Sequence, residues 1–174
     1  MVHGKIRAWN TFFYSVVTPQ TMKPSAPVKF EDLLAAYEWV SSSPGDSEAF
    51  VSRLTGIVHW SSSTTEPDEV LPDDIEDGRV YVAVPNKHDL NLGKNLVLTF
   101  AEDHLADSYQ TVADLFRQRG AYGRFKDFLE RKGLLQAWYD FEEKATELAL
   151  REWAAEEGLS IDAGQPSINT GAAR

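Results

Sequence analysis

Residues 119–159 read RGAYGRFKDFLERKGLLQAWYDFEEKATELALREWAAEEGL, and the periodicity of this stretch decides the fold class. Phe125, Phe128 and Leu129 recur at helical spacing, and so do Trp138, Phe141, Ala145, Leu148, Ala149 and Trp153. Apolar residues three and four apart share one helical face, so two amphipathic helices with aromatic faces are expected. Gly133, after Arg131 and Lys132, is a natural end for the first. Gly158 followed by Leu159 ends the second with a closing apolar contact.

Working outward, Asp107 and Ser108 are candidate caps for a helix carrying Tyr109, Val112, Ala113 and Phe116, with Gly120 as its stop. A helix from about Leu92 to His104 precedes it, apolar at Leu92, Leu96, Val97 and Phe100, with Asp89 or Asn91 as N-cap. Val80 to Val84 is a short β-prone run. Residues 49–62 read as a hairpin, with strands at Phe50–Leu54 and Ile57–Trp60 around the turn Thr55-Gly56. Phe30, Leu33, Leu34, Tyr37 and Val40 mark one further helix, with Glu31 and Asp32 favouring its N-terminal dipole and Ser41–Gly45 ending it. The expected class is α+β: a small three-stranded antiparallel sheet with an N-terminal helix and a C-terminal bundle of three to four helices.

Residues 22–160 are expected to form a single domain. Residues 1–21 read as a flexible extension or a start codon placed too early, since Met22 opens a typical protein start. Their apolar run at residues 12–17 is too short for a secretory signal. Residues 161–174, rich in Gly, Ser, Asn and Ala, read as a disordered tail. Residues 63–78 hold seven acids and no base, and Pro67 and Pro72 bar a helix, so a solvated acidic loop is expected.

Composition narrows function by exclusion. The chain contains no cysteine, which removes disulfides, thiolate metal sites and thiol catalysis and fits a reducing, cytoplasmic setting. No apolar run approaches the ~18 residues of a membrane-spanning helix. The net charge of −10 opposes binding to nucleic acid and to anionic lipid.

Three stretches carry a resemblance. They are the Thr55-Gly56 hairpin, the segment Val84-Pro85-Asn86-Lys87-His88-Asp89-Leu90-Asn91-Leu92-Gly93, and the block from Arg119 through Leu129 and Trp138–Glu142 to Trp153. Together they are similar to a bacterial family catalogued as an uncharacterised protein family, number 0158 of the UPF series. The resemblance spans about residues 28–160 and implies bacterial origin and one α+β domain. It implies no mechanism, because that family's function is unassigned. Members often carry a cysteine after the last tryptophan; here Ala154 stands there, so a thiol at that position is excluded.

The search for chemistry leaves one asymmetry. His59, His88 and His104 show no spacing that sets two metal ligands on one helical face. Asp127 with Glu130, and Asp140 with Glu143, are carboxylate pairs three apart, and their basic neighbours make ordinary surface ion pairing the expected role. No Gly-x-Ser-x-Gly elbow and no glycine-rich phosphate loop occurs, and nothing calls for a cofactor. Residues 117–132, by contrast, hold six basic and two acidic residues, +4 in a chain of −10, which leaves −14 for the rest. Arg119, Tyr122, Arg124 and Lys126 cluster at the turn between two helices. The favoured expectation is a non-catalytic binding or regulatory module that meets an acidic protein partner through these four residues. Cations near helix C-termini also stabilise the dipole, so part of the cluster has a purely structural reading. The alternative is a small enzyme or binder acting on a phosphorylated or nucleotide ligand, with His88 and Asp127 as its candidate acid–base groups.

Overall fold

The computed structural model describes residues 26–62 and 70–162. The expected N-terminal extension, the tail beyond Asp162, and Glu66, Asp68 and Glu69 of the acidic loop lie outside the described residues.

The architecture is α+β. Strand β1 (Val28–Lys29) leads directly into helix α1 (Phe30–Ser42). Strands β2 (Ser47–Ser52), β3 (Val58–Ser62) and β4 (Tyr81–Ala83) form an antiparallel sheet in the order β3-β2-β4. Helices α2 (Lys94–His104), α3 (Tyr109–Leu115), α4 (Ala121–Lys132) and α5 (Leu135–Glu156) follow, with a single 3₁₀ turn at Ala106–Ser108 before α3. Strand β5 (Ile161–Asp162) returns to pair in parallel with β1. Ordered pairing thus extends two residues past the expected boundary at 160, with Val28 fully buried beneath it.

The β2–β3 turn explains its glycine. Gly56 has φ +70°, and a Cβ there would lie 2.7 Å from the carbonyl oxygens of both Ala26 and Pro27. The incoming chain crosses the turn too closely for any side chain. Beyond Ser52 the chain turns toward β3, and Arg53 is bonded to other parts of the fold. Its amide donates to Val80 O, and its guanidinium donates to Gly78 O, Glu157 O and the Glu157 carboxylate. That one side chain ties the hairpin, the segment before β4 and the end of α5 together.

The helical half interlocks through aromatic edges. Phe100 of α2 is fully buried and meets Trp138 and Phe141 of α5 at 5.3 and 5.4 Å between centroids, edge to face. Phe125 of α4 meets Trp138 at 5.1 Å and Phe116 at 5.8 Å in the same manner. This is the arrangement the ring quadrupoles favour. Both α4 and α5 end in a left-handed glycine: Leu134 N donates to Leu129 O, and Leu159 N donates to Ala154 O. These bonds satisfy orphan carbonyls and fold the following leucine back onto the core.

Several local expectations differ from the structure. The buried row of α5 is Trp138, Thr146, Leu150 and Ala154, whereas Leu148 is 59% exposed. Two residues turn a helix by about 200°, so burying Leu150 sends Leu148 outward. Gly120, at φ +70°, sits immediately before α4 and does not stop α3, which ends at Leu115. Neither Asp89 nor Asn91 caps α2, which begins after Gly93 without a side-chain cap.

Candidate functional site

The segment between β4 and α2 is held by its own polar side chains. Asn86 N donates to the Asp89 carboxylate at 3.0 Å, and His88 N donates to Asn86 Oδ1 at 2.8 Å. Asp89 therefore closes this loop instead of starting the helix. Lys87 N donates to Ser41 Oγ at 2.9 Å, which pins the loop to the end of α1. The packing places Lys87 Nζ 5.6 Å from the Tyr122 ring centroid.

Beside this loop lies a group of titratable side chains contributed by α1, α4 and α5. Glu142 is half-buried on α5, one turn after Trp138 and one turn before Thr146. Burial raises its carboxyl above the usual range, and Lys126, Lys87 and the Trp138 indole oppose the rise. Burial likewise raises the Tyr122 phenol, helped by Glu142 and Tyr37. Burial also raises Tyr37, with Ser41 and Thr146 opposing, and Glu142 and Glu38 adding to the rise. One carboxyl thus lies within electrostatic reach of two phenols and two ammonium groups. The Trp138 Nε1 itself is buried and makes no hydrogen bond of ordinary geometry.

Glu142 and Tyr37 open into a cleft of about 460 Å³ between α1 and α5. Phe30, Leu34 and Tyr139 supply its apolar and aromatic walls. Glu38, Glu143 and Glu147 join Glu142 as its acidic groups. A second cleft of about 450 Å³ runs between the 83–91 segment and the end of α5, walled by Trp153, Glu152 and Glu156. A third, of about 210 Å³, separates the end of α1 from the sheet.

The four residues expected to form a site divide between two places. Arg119 is exposed in the α3–α4 connection and makes no ion pair among the described residues. Arg124 is half-buried and turns back, its Nη2 donating to Leu115 O at 3.4 Å, so it caps the end of α3. Tyr122 packs edge-on against Phe116 at 5.0 Å and belongs to the Glu142 group. Lys126 is exposed, with Nζ 5.8 Å from the Tyr139 ring centroid, and also belongs there through its field on Glu142. No polar contact at the site joins Arg119 to Tyr122 or Lys126. Among the basic residues counted in the segment, Arg117 pairs locally with Asp114.

Sequence reasoning missed Tyr37, Lys87 and Glu142 as site residues. A signal for Glu142 exists: it stands on the row Trp138–Glu142–Thr146–Leu150, where an acid interrupts a buried face. The three histidines among the described residues are separated: His88 packs beside Gly93, His104 lies against Phe100 at 4.5 Å with the rings tilted, and His59 meets Tyr81 at 5.6 Å. Among the described residues no group of three or more His, Asp or Glu is arranged to hold a metal, and no helix is long and apolar enough to cross a membrane.

No family model, no curated protein and no solved structure matches the chain. The 84–93 segment meets α4 at Tyr122, where Lys87 lies over the ring and Gly93 approaches the phenol.

Proposed function

We propose that this chain is a non-catalytic binding module and that its ligand occupies the α1–α5 cleft. The observation that carries the reading is Glu142: a carboxyl raised by burial, within electrostatic reach of Tyr37 and Tyr122, at a cleft of small-ligand size. Of the four residues first singled out, Tyr122 and Lys126 bear on this site only through their electrostatic coupling to Glu142, and none of the four walls the cleft.

An acidic partner remains the second reading, favoured by one observation: Arg119 projects from the α3–α4 connection with no carboxylate partner among the described residues. The phosphate or nucleotide alternative draws less support. None of the three clefts is walled by Arg119 or Arg124, and His88 and Asp127 are both exposed.

A panel of charge-typed probes tests the reading: arginine ethyl ester, inorganic phosphate, AMP and a glutamate-rich peptide, each titrated into ¹⁵N-labelled protein. Shifts in α1 and α5 amides support the cleft. Shifts confined to residues 117–126 with the acidic peptide support the second reading instead, and shifts there with phosphate or AMP support the phosphate or nucleotide alternative. No shift with any probe refutes both.

A further inference from the structure

Resting on the reading of the α1–α5 cleft as a binding site, we propose that its ligand is an arginine side chain presented by a basic peptide segment of a partner protein. The cleft's charge sets the sign. Glu38, Glu142, Glu143 and Glu147 all face it, and among the described residues Glu38 and Glu143 make no ion pair. A chain of −10 adds a long-range field that draws cations toward it.

The second argument is independent of charge and identifies the cation. At one lip of the cleft the protein already seats a guanidinium of its own. Arg151 lies 4.5 Å from the Phe30 ring centroid while its Nε and Nη2 both meet Glu147 Oε1 at 2.9 Å. Aromatic face on one side and carboxylate on the other is the seat a guanidinium prefers, because its planar ion stacks and its forked donors chelate. The cleft repeats those two elements further in. Tyr139 is 40% exposed, and Glu143, its near neighbour on α5, is exposed and unpaired. Glu38 offers a carboxylate from the opposite wall. Lys126 Nζ already lies 5.8 Å from the Tyr139 ring centroid, so an entering arginine would displace it or stack on the other face of the ring, with carboxylates to chelate and its methylene stem packed on Leu34. Lysine has the charge but neither the plane nor the fork. Arginine entry also places a cation near Glu142, which favours the ionised carboxylate.

The test uses the full chain and three fluorescein-labelled heptapeptides alike except for their central residues: arginine, lysine or citrulline, the neutral isostere. Anisotropy measures affinity and ¹⁵N spectra map the site. The arginine peptide should bind about tenfold or more tighter than the citrulline peptide, weaken as salt rises, and shift α1 and α5 amides. The double variant Glu38→Gln with Glu143→Gln, both exposed and expected to leave the circular dichroism melt unaltered, should weaken it about tenfold. Equal affinity for arginine and citrulline peptides, equal affinity for arginine and lysine peptides, or shifts at Trp153 and Glu152 would overturn the assignment. Shifts that follow protein concentration instead of peptide would identify a second copy as the occupant and overturn it too. If the arginine peptide leaves the cleft untouched while another probe of the panel above shifts it, the arginine assignment falls and the binding reading stands. If none does, both fall.

Discussion

Phe100 offers the sharpest test of the packing that holds the candidate site in place. Its ring is fully buried where α2, α4 and α5 converge, edge-on to Trp138 and Phe141 and farther, at 6.5 Å, from Phe125. Phe100→Ala removes the ring and leaves a cavity whose walls are fixed by helices ending in bonded turns, so about 3–5 kcal/mol is expected. Phe100→Leu keeps most of the transfer free energy and loses the ring geometry. Two good edge-to-face pairs at about 0.5–1.5 kcal/mol each, plus a shape mismatch, give about 1.5–3 kcal/mol. Against a total of about 5–15 kcal/mol for a domain, the alanine variant approaches marginal stability and the leucine variant does not. Urea unfolding followed by far-ultraviolet circular dichroism and tryptophan fluorescence measures both, with unchanged m values confirming that the transition is comparable. A leucine variant within about 0.5 kcal/mol of the parent, together with an alanine loss below about 2 kcal/mol, would refute the interlocked-ring account.

Three further outcomes follow from the same structure. Gly56→Ala forces a Cβ against two backbone carbonyls at positive φ and should cost about 2–4 kcal/mol or prevent folding, read by the same unfolding curves. Arg119→Glu should change stability by less than about 0.5 kcal/mol, whereas Arg124→Glu should cost about 1–2 kcal/mol by uncapping Leu115 O, measured by thermal melts. Glu142→Gln should change the pH dependence of stability. A carboxyl raised in the folded state keeps its proton there longer than in the unfolded chain, so its contribution falls as pH rises from the ordinary carboxylate range through the raised value. The variant should therefore gain on the parent over that window; a constant or opposite difference in unfolding free energy between acid and neutral pH would contradict it.

Periodicity made the helical half legible because aromatic residues at spacings of three and four have one physical use in a soluble chain. Phe125, Leu129 and Trp138 are buried as their spacing requires. The β2–β3 hairpin was readable for a similar reason, since Gly56 between two β-branched and aromatic runs has few alternatives. Finer choices were not. Leu148 and Leu150 both fit an apolar stripe, and only the way the rest of the core packs against α5 selects Leu150. The candidate site was half legible. Tyr122 and Lys126 stood out by local charge and aromatic density, but Arg124 resembles a ligand-binding arginine and acts as a cap. Tyr37, Lys87 and Glu142 are separated by 50 and 55 residues in sequence, and their meeting is a product of tertiary packing that local pattern does not encode.

The account turns on Glu142 as a half-buried carboxyl lining a usable cleft. Its titration, followed through the side-chain ¹³C resonance of selectively labelled protein, measures that directly. A midpoint clearly above the ordinary glutamate value, falling when the arginine heptapeptide is added, is the predicted result. A midpoint at or below the ordinary value, indifferent to the peptide, would mean that the carboxyl is solvated and that the cleft is only surface.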